Sequence, residues 1–157
     1  MNVKRRRILD NGITMPSIGF GTWKIKDGSE AYDSVLHALN AGYRHIDTAA
    51  AYNNEASVGK AIRDSGIRRE EIFLTTKLRA ELKGYDVAKK ELEASLERLA
   101  TDYVDLYLIH APKPWNTSLD VNEYVEANIE TWKAFISMYE EGRCKAIGVS
   151  NFIPEQI

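Results

Sequence analysis

The run "VDLYLIH" (residues 104–110) carries four consecutive large apolar residues, Leu106 to Ile109, and ends on a histidine. A strand turns successive side chains to opposite faces, so an unbroken apolar run is covered on both sides. Similar short runs recur at "GFGTW" (19–23), "RHIDTA" (44–49), "IFLTTKL" (72–78) and "KAIGVSN" (145–151). Strands of this kind belong to a parallel sheet sheltered by helices.

The intervening segments read as those helices. "GSEAYDSVLHALNAG" (28–42) puts Ala31, Val35, Ala38 and Leu39 on one face and stops at Gly42. "NEASVGKAIRDSG" (54–66) does the same with Ala56, Val58, Ala61 and Ile62. "YDVAKKELEASLERLA" (85–100) aligns Val87, Leu92, Leu96 and Leu99. "VNEYVEANIETWKAFISMYEEG" (121–142) is read with Tyr124, Ile129, Trp132 and Ile136 inward, closing on Gly142. Strand and helix therefore alternate, as in βαβ units with right-handed crossovers. Ahead of them, "RRRILDNGITMPSIG" reads as a hairpin turning at Asp10-Asn11-Gly12. After the fifth strand, Pro154 is placed to open a further helical turn.

Such units close into a barrel or spread into a doubly wound sheet. The second option wants G-x-G-x-x-G after the first strand, and "GFGTWKIKDG" lacks that spacing. Polar residues instead end the later strands: Asp47 on the second, Lys77 on the third, His110 on the fourth, Ser150-Asn151 on the fifth. That is the pattern of a barrel's active face. The expected fold is α/β of the parallel (β/α)8 barrel type, an incomplete barrel of about five βα units preceded by a hairpin, in one domain spanning residues 1–157.

At such a mouth, a lysine after "FLTT" is costly to bury unless a carboxylate meets it, and Asp47 on the neighbouring strand is the obvious partner. Tyr52, a few residues beyond Asp47, would feel the ammonium, which stabilises charge on the phenol oxygen. A phenol so placed can give its proton to a carbonyl oxygen. His110 could hydrogen-bond the same oxygen. The set suits hydride transfer to a carbonyl.

Composition narrows the alternatives. The chain has 157 residues, 44% hydrophobic and 28% charged, with a formal net charge of -2 from 21 basic and 23 acidic residues. That balance offers no field for nucleic acid or a membrane surface. The basic run Lys4-Arg5-Arg6-Arg7 reads as an exposed strand edge. Cys144, the single cysteine, cannot form an internal disulfide, and the three histidines have no metal-ligand spacing. The sequence shows no apolar stretch of spanning length and no apolar leader core, so a reducing cytoplasm is the expected location.

With these residues in view, the chain resembles the N-terminal part of an aldo-keto reductase. "GYRHIDTAAAYNNE" (42–55) looks like the family's first signature and "LEASLERLATDYVDLYLIH" (92–110) like its second. "MPSIGFGTW" (15–23) and "GVSNF" (148–152) extend the likeness over nearly the whole chain. The resemblance implies NADPH-dependent reduction of an aldehyde or ketone, with NAD as an alternative cofactor. It makes Tyr52 the proton donor, Asp47 and Lys77 the pair that tunes it, and His110 the orienting histidine. Ser150 and Asn151 would hold the nicotinamide carboxamide. Gly21, Thr22 and Trp23 would lie by the nicotinamide, where Gly19 and Gly21 let the backbone turn, and Trp23 would line the substrate pocket with Tyr52, His110, Ala111 and Trp115. Glu55 would serve the start of a helix.

Two departures stand out. Ala111 occupies a position where many relatives carry a bulky aromatic, which implies a wider pocket; Trp115 either compensates or anchors its loop. The family's lysine-serine stretch for the cofactor phosphates has no counterpart in these 157 residues. Five parallel strands would leave two open edges, so the chain is expected to self-associate or to pair with the remainder of a barrel. The alternative to an enzyme is a non-catalytic half-barrel or assembly fragment.

Overall fold

The computed structural model describes residues 5–157. Lys4, the first of the basic run, lies outside them. Arg6–Ile8 (β1) and Thr14–Pro16 (β2) form the antiparallel hairpin. Its turn is closed by Gly12 N–H donating to the Leu9 carbonyl at 2.8 Å, with Gly12 at φ +83°. The rest is Phe20–Gly21 (β3), Ser29–Asn40 (α1), His45–Asp47 (β4), Glu55–Asp64 (α2), Phe73–Leu78 (β5), Tyr85–Leu99 (α3), Leu106–Ile109 (β6), Val125–Glu140 (α4) and Ile147–Val149 (β7). β3 to β7 make one parallel sheet in chain order. Among the described residues the incomplete barrel is thus observed as five parallel strands and four helices, with only the 3-10 turn Pro154–Gln156 after β7.

Alternation along the strands decides what faces the helices. Ile46, Leu74, Leu78, Tyr107 and Ile109 join Val35, Leu39, Val58, Leu92, Leu96, Leu99 and Phe135 in one core. The other face carries His45, Asp47, Thr75, Lys77, Leu106 and Leu108 by the period of two. Gly19 leaves room for the His45 ring there, since a Cβ would lie 2.6 Å from His45 Nδ1.

The buried face of α1 is the expected one, but three other assignments are corrected. Ala56 of α2 is exposed, and the neighbouring Glu55 is buried in its place. Val87 of α3 is exposed, while Ala88 and Ser95 go inside. In α4 the buried residues are Thr131, Ala134, Phe135 and Met138, while Ile129 and Ile136 face outward and Tyr124 and Trp132 are half-buried. The helix carries two apolar stripes, and the one with the small and polar members is covered. Thr131 tolerates this because its hydroxyl donates to the Ala127 carbonyl at 2.7 Å and accepts from Gly84 N–H at 2.7 Å.

Candidate active site

Parallel register sets the polar residues on a diagonal. Asp47 is opposite Thr75 on β5, and Lys77 lies two residues further along the same face. Lys77 is opposite Leu108 on β6, and His110 again lies two residues beyond. The stagger converges them at the C-terminal mouth.

Lys77 is nearly buried. Its ammonium donates to Asp47 Oδ1 at 2.5 Å and to the Thr48 carbonyl at 2.9 Å. The Tyr52 hydroxyl is 3.5 Å from Lys77 Nζ. A buried lysine needs such partners, and here a carboxylate and a carbonyl supply them while the same nitrogen faces the phenol oxygen. Tyr52 sits at the end of a short 3-10 turn, Ala50–Tyr52, which follows β4 directly. Its ring meets the His110 ring edge-on, with centroids 5.7 Å apart. Burial lowers the His110 imidazole below its ordinary value, and the Lys77 charge adds to this. His110 Nδ1 is buried without a hydrogen-bond partner among the described residues.

Asp47, Tyr52, Lys77 and His110 are therefore brought together, and other candidates are arranged differently from expectation. Thr22 is fully buried, and its hydroxyl donates to Thr48 Oγ1 at 2.9 Å, so its side chain belongs to a structural cluster beneath the mouth. Trp23 is 67% exposed on the rim, with Lys24 Nζ 4.5 Å from its ring centroid. Gly21 has open space where a Cβ would be and no positive φ, so the close approach belongs to Gly19 instead. Ala111 is 1% exposed and does not widen an open wall. The Trp115 ring, like that of Tyr52, meets His110 edge-on, with centroids 5.7 Å apart.

Ser150 and Asn151 follow β7, with Asn151 in the left-handed region at φ +61°. Asn151 Nδ2 donates to the His110 carbonyl at 2.8 Å and to Ser150 Oγ at 3.0 Å. The Ser150 hydroxyl hydrogen and the Asn151 side-chain oxygen have no other partner among the described residues.

Several supporting residues were not singled out from the sequence. Asn54 donates to the Thr22 carbonyl at 3.0 Å and the Ile25 carbonyl at 2.9 Å, and accepts from Thr48 at 3.1 Å. It ties the ends of β3 and β4 to the segment carrying Tyr52. Glu55, foreseen only as a helix-start residue, accepts from Thr76 Oγ1 at 2.6 Å, Ser95 Oγ at 3.2 Å and Arg98 Nε at 2.7 Å. Position next to "AAAY" was the only sequence signal for either.

Two cavities lie away from this mouth. One of about 260 Å³ separates the hairpin from the opposite end of the sheet, lined by Arg6, Pro16, Phe73, Asp105 and Lys145 among others. A groove of about 610 Å³ runs along α4 and β7, lined by Ile129, Trp132, Val149, Phe152 and Ile157 among others.

The fold is that of a barrel with its polar residues gathered at one mouth, and comparison with known proteins gives its class. The chain belongs to the aldo/keto reductase family, whose family model matches residues 17–157. It is 46% identical over 144 residues to a glyoxal reductase of Bacillus subtilis, covering 92% of this chain and 48% of that protein. Among solved structures, an aldo/keto reductase from Brucella melitensis superposes with a TM-score of 0.88 at 49% identity, over 97% of this chain and 56% of the other. An aldo-keto reductase of Bombyx mori, solved in complex with NADP, gives 0.82 at 37% identity, over 98% and 52%. The chain thus spans about half the length of the curated relatives it matches.

Proposed function

We propose that these residues carry the proton-donating side of an NADPH-dependent carbonyl reductase acting on an aldehyde or ketone. The observation that carries this is the Lys77 ammonium, 2.5 Å from Asp47 Oδ1 and 3.5 Å from the Tyr52 hydroxyl. Tyr52 gives its proton to the carbonyl oxygen as negative charge develops there. Lys77 stabilises the phenolate left behind, and Asp47 pairs with that lysine and holds it in place. His110, neutral through burial, offers a ring nitrogen to the same oxygen and fixes the carbonyl's orientation. Trp115 and Trp23 would wall the substrate.

A nicotinamide cofactor bound at the mouth would supply the hydride. Ser150 and Asn151 fit its carboxamide, since one offers a free hydroxyl donor and the other a free carbonyl acceptor. NADPH is favoured over NADH by the family's habit and by the Bombyx mori relative's complex. Because the chain spans about half of its relatives' length, complete turnover is proposed for the full barrel, and these residues account for the acid and the carboxamide side.

An NADPH titration followed by tryptophan fluorescence tests this on the 157-residue chain. Saturable quenching that is lost in Trp23→Phe supports a nicotinamide site beside Trp23. In a full-length barrel carrying these residues, NADPH binding and turnover that are unaffected by Tyr52→Phe and by Ser150→Ala with Asn151→Ala overturn it.

A second reading, a half-barrel that works by pairing with another copy or with the rest of a barrel, is favoured by the groove beside β7. Ile129, Ile136 and Ile157 are exposed along it or next to it, and β7 has strand pairing on one side only. A light-scattering mass of a single chain in dilute solution counts against this reading.

A further inference from the structure

The backbone that carries His110 is held from both sides. Asn151, beyond β7, donates to the His110 carbonyl at 2.8 Å. Lys83, in the loop between β5 and α3, donates from Nζ to the Ala111 carbonyl at 2.5 Å. The next residue, Gly84 at φ +100°, fixes that loop to α4 through its N–H bond to Thr131 Oγ1. The imidazole itself has no such tether. Nδ1 is unpartnered, and the ring is located by edge contacts to Tyr52 and Trp115. A working histidine usually has its second nitrogen fixed by a hydrogen bond. Here orientation falls to the backbone clamp and to ring packing.

Lys83 differs from the other cations near the mouth. Lys77 has Asp47, whereas Lys83 is half-buried and bonded to a neutral carbonyl, with Glu81 acting on it only through space. Its charge also bears on the imidazole, together with those of Lys77, Asp47 and Glu81.

We propose that Lys83 is a positioning residue for His110, holding the turn after β6 and keeping a positive charge beside the imidazole. This rests on the reading that His110 meets the substrate oxygen, but it concerns only the ring's surroundings and is tested without turnover. The charges that act on His110 are those of Asp47 from β4, Lys77 from β5, and Glu81 and Lys83 from the following loop, while the uncharged Trp115 ring and the Tyr52 ring meet it edge-on. Burial lowers the Lys83 ammonium to about 8. Above that pH the charge goes, and a charge-assisted bond becomes an ordinary one. A nearby cation disfavours imidazolium, so removing it raises the His110 midpoint.

The test is a pH titration of the histidine ring signals of the 157-residue chain by NMR. There are three histidines, His37, His45 and His110, so the signals are separable. In the unmodified chain, the His110 signal is expected to shift a second time near pH 8. Lys83→Met should abolish that second shift and raise the first midpoint; Lys83→Arg should abolish it while keeping the low midpoint. A His110 titration identical in the unmodified chain and Lys83→Met overturns the proposal. If Lys83→Met does not fold, the unmodified chain and Lys83→Arg decide it: no second shift near pH 8, or one that survives in Lys83→Arg and so does not come from Lys83, overturns it.

Discussion

Arg98 of α3 reaches the carboxylate of Glu55 on α2, Nε to Oε2 at 2.7 Å, and the two ends of this pair sit in different surroundings: the Glu55 side chain is 1% exposed and that of Arg98 is 37% exposed. The asymmetry predicts unequal costs. Arg98→Met leaves a buried carboxylate with only the Thr76 and Ser95 hydroxyls and is expected to cost about 3 kcal/mol, as for a buried pair broken from one side. Glu55→Gln leaves a half-exposed guanidinium that still pairs with Glu91, so about 1 kcal/mol is expected. Urea unfolding of the two variants gives the order. An equal or reversed order would mean that the carboxylate does not depend on Arg98.

Tyr52→Phe removes one oxygen and no packing, since the ring contact to His110 remains. In a full-length barrel carrying these residues, kcat for carbonyl reduction should fall by a factor of roughly 10² to 10⁴, the usual range for a positioned acid. Cofactor binding should change little. Turnover at the parent rate would assign the proton to another group.

The pH dependence of stability follows from two histidines. Burial lowers both His45 and His110 below their ordinary value of 6.5. As pH falls through 6.5 the unfolded chain takes up protons first, so stability drops until the folded-state values are passed. The urea midpoint should therefore fall from pH 7 to pH 5. His45→Gln should make the fall smaller. An unchanged slope in that variant would exclude His45 as a source.

Gly59 lies inside α2, where alanine normally improves a helix by about 1 kcal/mol. Here a Cβ would land on the Leu99 backbone carbonyl at the end of α3. Gly59→Ala is thus expected to destabilise by about 2 kcal/mol, because the obstacle is backbone and cannot rotate away. At Gly19 the obstacle is the His45 side chain, so Gly19→Ala should cost less. Thermal unfolding of both variants, compared side by side, checks this.

The strands were legible because their apolar runs are short and end on polar residues, and the same feature made Asp47, Lys77 and His110 legible. Helix faces were less so. Ile129 and Ile136 stay outside while Thr131 and Ala134 join Phe135 and Met138 inside, since α4 packs on α3 and Thr131 has its hydrogen bonds there. Glu55 and Asn54 were unreadable as hubs for another reason. Their partners Arg98, Ser95 and Thr22 lie roughly 30 to 45 positions away, and only the fold brings them near. Lys83 escaped notice likewise, because its acceptor is a backbone carbonyl that no residue type announces.

The two-residue step from Asp47 to Lys77 to His110 has a consequence for insertions and deletions. Each strand contributes its polar residue through parity, one face being chemistry and the other core. Slipping β5 by a single residue against β4 and β6 would carry the Lys77 ammonium in among the helices and turn Thr76 or Leu78 toward Asp47. A helix, or a loop at the far end of the sheet from the mouth, can gain or lose residues and leave these three in step. A strand can do so only by even numbers, and the spelling of the site is in that sense arithmetic.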